Sequence, residues 1–279
     1  MSVLNRCRPV LLLAAIAVGA PTAYGADPAP APAASSAKPA MPSGSEDRLF
    51  LSFFQEAALV KSQWWEGQVE YADGSKGVPT DAFVVRGVVA FRPVKTFEVG
   101  GRFGMGSTNA ATGRPDGTGA TDLDIYGKWV FPNAASNLAF STGMILTLPT
   151  GDDTVGLGFN SFASQLFGGA RFRMESVELG GHIGVRFNGD GDFQGVSIDG
   201  KNSFEFSASA LFPMANQVSL VAEMQVETER FDGQDSSTQV LGGVNWRVFG
   251  RGMLRGAVAV GLTDGAPDYR ALVSYAYTF

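Results

Sequence analysis

The sequence predicts an all-β protein: a transmembrane antiparallel β-barrel of about twelve strands, behind an N-terminal signal peptide and a Pro/Ala-rich leader. Three observations predict it. Apolar and polar residues alternate with period two in run after run from about residue 62 to residue 279. Most runs are 11–13 residues long. Soluble strands average about 5–6, whereas tilted strands that cross a bilayer need about 9–11. Finally, one parity carries no charge in the body of any run, with Asp73, Asp81 and Lys95 on it only at run ends.

The chain begins with a different chemistry. Arg6 and Arg8 precede the apolar stretch VLLLAAIAVGA, and Ala23-Tyr24-Gly25 has the small-x-small form of a cleavage site. Residues 1–25 therefore read as a secretory signal peptide, too short to span a membrane. Cleavage removes Cys7, the only cysteine, so the mature chain needs no disulfide and offers no thiol chemistry. It also removes two arginines and no acids, leaving a chain more acidic than the formal −6 of the whole. Nucleic acid, which requires basic surface, is an unsuitable partner. Residues 26–45 are rich in Pro, Ala and Ser and read as an extended or disordered leader. Residues 46–61 contain LFLSFFQEAALV and leave three readings open: a short periplasmic helix, a plug, or an extra strand.

Residues 62–279 supply the barrel. The predicted strands are 62–73, 80–93, 95–106, 121–132, 137–149, 161–173, 176–188, 202–212, 217–229, 238–248, 253–263 and 269–279. Phe83, Val85, Gly87, Val89 and Phe91 show the charge-free parity, as do Val177, Leu179, Gly181, Ile183, Val185 and Phe187. The other parity takes the charges. An Arg or Lys facing lipid at mid-bilayer costs roughly 2–4 kcal/mol, so a lipid-facing surface demands this segregation.

Parity alone does not say which face is outside, because a soluble sandwich also alternates. Three features choose the membrane. The strands are too long for a sandwich. A twelve-stranded barrel is wider than the eight-stranded kind whose interior side chains just fill. Connections also alternate between short (around Pro93, 133–136, 174–175, 213–216, around Gly250) and mostly longer (107–120, 150–160, 189–201, 230–237). Short periplasmic turns and longer outer loops are the outer-membrane pattern. Aromatics gather near both strand ends: Trp65, Phe91, Trp129, Phe131, Trp246, Tyr277 and Phe279 at one, Tyr71, Phe83, Phe103, Phe187 and Tyr269 at the other. These read as the two interfacial girdles.

The inward parity supplies the site candidates: Arg86, Arg102, Asp122, Asp124, Lys128, Arg171, Arg173, His182, Arg186, Glu205, Glu223, Glu227, Arg247, Arg255 and Arg270. Lumen charges either bias which solute enters or pair with one another and fill the barrel. The basic members cluster toward the short-turn end, and the long loops add acids such as Asp152, Asp190 and Asp232.

The last strand, ALVSYAYTF (271–279), resembles the C-terminal signal of bacterial outer-membrane barrels. The resemblance implies that Tyr275, Tyr277 and Phe279 are read by the barrel assembly machinery. LTLPTGDD (146–153) and GLGFNSFASQLFGGARF (156–172) resemble the barrel family described as the putative MetA-pathway of phenol degradation. VKSQWWEGQVEYADG (60–74) is similar to that family's opening strand. The resemblance covers about residues 60–279. It implies an outer-membrane location in a Gram-negative bacterium and passage of a small hydrophobic or aromatic compound. It carries no catalytic motif.

Other motifs fail on inspection. NGDGDFQG (188–195) lacks the Gly and the final Glu of a calcium loop. It reads as a surface loop, bridged to lipopolysaccharide by divalent ions, with no dedicated metal site. GGRFGMG (100–106) has no following helix for a dinucleotide. His182, the only histidine, points inward by parity and has no G-x-S-x-G elbow to serve. No cofactor is expected. The function expected is passive passage of a small molecule. A structural or adhesive barrel with a filled lumen is the alternative, and a lipid-modifying enzyme the third.

Overall fold

The computed structural model describes residues 55–60, 62–74, 80–110, 115–131, 137–215, 217–248 and 250–279. The expected signal peptide, the leader and residues 46–54 lie outside the described residues. The strands are β1 Gln63–Asp73, β2 Thr80–Val94, β3 Phe97–Ala110, β4 Gly117–Ala120, β5 Leu123–Phe131, β6 Leu138–Leu148, β7 Ala163–Arg173, β8 Glu178–Asn188, β9 Gly191–Phe193, β10 Val196–Ile198, β11 Asn202–Ala215, β12 Val218–Glu227, β13 Ser237–Val248, β14 Gly252–Gly261 and β15 Tyr269–Thr278.

Twelve of these form one closed antiparallel barrel, with β1 bonded to both β2 and β15. Closure follows from the solvent: in hydrocarbon an unpaired strand edge has no water to turn to. The alternation of the sequence marks the twelve well. Their starts agree with the predicted ones within two residues and their ends within four. The three short strands have no counterpart in the prediction, because runs of three or four residues carry no readable period. β4 pairs with the upper part of β3, Met105 opposite Ala120. β9 and β10 form a hairpin whose two turn residues, Gln194 and Gly195, both have positive φ. Such a two-residue turn matches the twist of its strands.

The outward parity is the apolar one. Phe83, Val85, Val89 and Phe91 of β2 are exposed, as are Leu179, Ile183 and Phe187 of β8. Trp65, Phe91, Trp129, Phe131, Phe212, Trp246 and Phe279 ring the short-turn end. On β15, Val273 is exposed while Ser274, Ala276 and Thr278 are buried. Tyr275 and Tyr277 share the outer face with Phe279, and the Tyr277 ring meets the Phe279 ring edge-on at 5.0 Å. No segregation of this kind would survive a one-residue register slip, which would turn every side chain to the opposite face.

Candidate functional site in the barrel lumen

Inward side chains at one height on adjacent strands lie within contact distance of each other, so polar ones can link across strands. Here they form a belt. Gln165 Nε2 donates to Glu205 Oε2 at 2.7 Å, and Gln225 Nε2 donates to Glu205 Oε1 at 2.9 Å. Gln239 Nε2 donates to Gln225 Oε1, and Arg270 Nη1 to Gln239 Oε1, both at 3.0 Å. Arg270 and Arg86 then share Glu70 Oε2, at 2.8 and 2.7 Å. This crosses the seam where the first strand meets the last. Farther round, Arg102 Nε donates to Asp124 Oδ2 at 2.8 Å, and Thr147 Oγ1 to Asp124 Oδ1 at 2.7 Å. Arg186 Nη2 donates to Thr147 Oγ1 at 2.9 Å. Every barrel strand except β14 contributes, and β14 turns Ala259, a buried alanine, inward beside it.

Between the belt and the short-turn end, residues 55–60 run inside the barrel. Extended backbone there must find hydrogen-bond partners or lose several kcal/mol per group. The wall supplies them. Lys128 Nζ donates to the carbonyls of Glu56, at 3.2 Å, and Ala58. Val60 N donates to Glu98 Oε2 at 2.7 Å, and Tyr126 OH takes the other oxygen, Oε1, at 2.8 Å. Lys128 and Glu98 pair at 3.4 Å, and both are 0% exposed. Arg171 pairs with Glu178 and reaches Glu56 at 3.3 Å. His182 Nδ1 lies 3.3 Å from the Gln55 carbonyl, and its ring stacks on Phe167. Gly169 makes the approach possible: a Cβ there would lie 2.9 Å from the Gln55 carbonyl oxygen and 2.6 Å from Ser141 Oγ. Below, Val60 packs with Trp64, Ala90, Tyr126, Met253 and Ala276.

The remaining predicted residues distribute as follows. Arg255 lies 3.4 Å from Glu66 and 5.0 Å from the centre of the Trp64 ring, under the seam. Arg173 is 3.6 Å from Glu178 at the short-turn end, and Arg247 lines a recess there beside Arg251 and Phe279. Glu223 is buried on β12. Glu227 pairs with Arg230 at 3.4 Å near the long loops. Asp122 departs from its predicted place. It precedes β5 instead of lying within the strand, and it accepts the backbone N–H groups of Gly151 (2.9 Å) and Phe159 (3.3 Å). It anchors a loop and does not line the lumen.

That loop belongs to a folded cover over the long-loop end. Phe159 stacks between Phe193 and Phe231, at 5.1 and 4.9 Å, with the Arg230 guanidinium 5.1 Å from its ring centre. Lys201 bridges Asp232 (2.6 Å) and Glu229 (2.7 Å), whose charges and hydrogen bonds raise its ammonium above the ordinary lysine range.

Several residues of this site carry no charge, so a search for inward charges passes over them. Gln165, Gln225, Gln239, Thr147 and Tyr126 are legible only as inward parity. Gln55, Glu56 and Arg230 lie outside the strands, where parity says nothing.

No protein-family model matches the chain, and no curated protein matches it. Solved structures do resemble it. The COG4313 outer membrane channel from Pseudomonas putida F1 superposes with a TM-score of 0.67 at 15% identity, over 83% of this chain and 100% of that one. The NanC porin gives 0.55 at 7% identity, over 77% of this chain and 100% of that one. The KdgM porin, in complex with disordered oligogalacturonate, gives 0.53 at 10%, over 77% and 99%. These likenesses are of fold. The barrel is of the bacterial outer-membrane type, the location its lipid-compatible surface requires.

Proposed function

We propose that this protein is a passive outer-membrane channel for a small compound, with residues 55–60 acting as a plug that narrows the lumen. One observation carries the reading: cavities flank the segment on both sides within the same barrel. Gln55 lines one, together with belt residues such as Arg102, Asp124, Arg186 and Glu205. Ala57, Ala58 and Leu59 line the other, about 240 Å3, with Arg92, Lys95, Arg171 and Arg173. A barrel built only as a packed scaffold gains nothing from space on both sides of an inserted segment. The channel and porins of like fold support the reading. The family resemblance of the LPTGD region supports a hydrophobic or aromatic cargo, as does an aliphatic patch of Leu211, Val221, Leu241, Ala257 and Leu272 on the inner wall.

A second reading, a structural barrel with a filled lumen, draws on the two hydrogen-bonded arcs of the belt and the buried ion pairs. An enzymatic role is not proposed: Ser207, opposite His182 across β8 and β11, leaves its hydroxyl without a hydrogen bond. Liposome swelling with solutes of graded polarity, alongside single-channel recording, separates the first two. Wild-type protein should show a small conductance, and both Gly169→Leu and deletion of residues 46–61 should raise it several-fold. An unchanged, absent conductance in all three would leave the filled scaffold standing.

A further inference from the structure

The lumen arginines are not alike. Arg86, Arg102, Arg171, Arg255 and Arg270 each have a carboxylate within 3.5 Å. Arg186 has none within 4 Å among the described residues. Its Nε donates to Asn188 Oδ1 at 3.0 Å and its Nη2 to Thr147 Oγ1, both neutral acceptors. Nη1 makes no hydrogen bond there. A guanidinium is a planar fork suited to two-point binding of a carboxylate, and away from water it is costly to leave without a counter-charge.

Arg186 faces the cavity on the long-loop side of the plug, which measures about 150 Å3. A second arginine enters from above: Arg230, whose Nε is paired with Glu227 at 3.4 Å and whose guanidinium lies against the Phe159 ring. The cavity's own carboxylates are already engaged. Asp124 is held by Arg102 and Thr147, Glu227 by Arg230, and Glu205 by Gln165 and Gln225, 3.8 Å from His182. One side is apolar, formed by Val88, Tyr126 and Ile145. An engineered cavity of about this size in another protein admits one benzene ring.

We propose that this chamber binds a small monocarboxylate with a compact apolar body. Arg186 receives the carboxylate, and Val88, Tyr126 and Ile145 receive the body. This names the solute class for the channel read above and rests on that reading only for its role in passage.

Calorimetric titration of the full-length protein in detergent tests it, with benzoate as probe. Benzyl alcohol serves as the uncharged comparator and phenylalanine as the zwitterionic one. Benzoate should bind saturably, and benzyl alcohol at least about ten-fold more weakly, the scale of a charge-assisted hydrogen bond. Arg186→Gln should remove that preference and leave benzyl alcohol unchanged. No saturable benzoate heat overturns the proposal. So does equal binding of benzyl alcohol, tighter binding of phenylalanine, or a folded Arg186→Gln protein with undiminished benzoate affinity. The wild-type comparison decides the matter even if the variant does not fold. Swelling with neutral solutes reads passage separately. Benzoate binding without conductance would retain the site and remove the channel. Conductance without benzoate binding would do the reverse.

Discussion

The two inner walls of this barrel solve different problems. The wall of β3, β5, β7 and β8 presents Glu98, Lys128, Gly169, Arg171, Glu178 and His182 to residues 55–60. Across from it, between the belt and the short-turn end, β11 to β15 present Leu211, Val221, Leu241, Ala257 and Leu272. The first wall faces polypeptide backbone, whose N–H and C=O groups need partners once water is gone. The second packs aliphatic side chains against one another, with the buried Glu223 opposite Leu241 and the buried Arg255 two residues from Ala257 at its edges. The lesson is that polarity in this lumen follows what each wall must satisfy, more than distance from the membrane.

The sharpest way to break the comparison is Lys128→Met. It leaves Glu98 buried without its cation and orphans the carbonyls of Glu56 and Ala58. A loss of about 3–5 kcal/mol is expected in urea unfolding from lipid vesicles. Lys128→Met with Glu98→Gln should recover more than half of it, because the stranded charge is then gone. If the single substitution costs nothing, the segment is not held by this pair.

A smaller effect is expected at the seam. Glu70→Gln removes the charge that Arg86 and Arg270 share across β1, β2 and β15. A cost of about 1–3 kcal/mol is expected in the same unfolding assay, with exchange of the β1 and β15 amides accelerated first.

The apolar wall predicts a smaller penalty still. Val221→Thr keeps the shape and buries a hydroxyl where no backbone waits for it, at a cost of about 1–2 kcal/mol. Conductance should not move. A gain of stability would show that this wall, too, has unmet polar groups.

The least effect is expected at the exposed cover. Lys201→Met should leave unfolding unchanged at neutral pH, since an exposed pair is screened by water. Its ammonium is raised by Asp232 and Glu229, so any contribution is fully present below the ordinary lysine range, about pH 10, and is lost as pH rises through the raised value. Any difference between wild type and Lys201→Met, however small, should therefore be present at pH 7 and fade as pH rises through that value, and a difference that appeared only at high pH would contradict the assignment.

Much of the architecture follows from one rule applied residue by residue. Lipid forbids charge on one face and requires every edge to pair, so parity, run length, barrel width and the alternation of short and long connections together determined the twelve strands, their outward face, the aromatic rings and the inward position of Lys128, Arg171, Arg186 and Arg270. The same rule is blind where lipid is absent. It cannot see β4, β9 and β10, it left residues 46–61 with three readings, and it put Asp122 on a strand when the residue holds a loop. Pairing is a further gap. Glu70 is 200 residues from Arg270, and Glu56 is 115 from Arg171. Which charge meets which depends on strand register, shear and closure of the whole barrel. Tertiary structure alone decided that the lumen charges form a belt, that a backbone segment is fed by Lys128 and Glu98, and that the Arg186 guanidinium donates to the neutral acceptors Asn188 and Thr147 at the edge of a cavity.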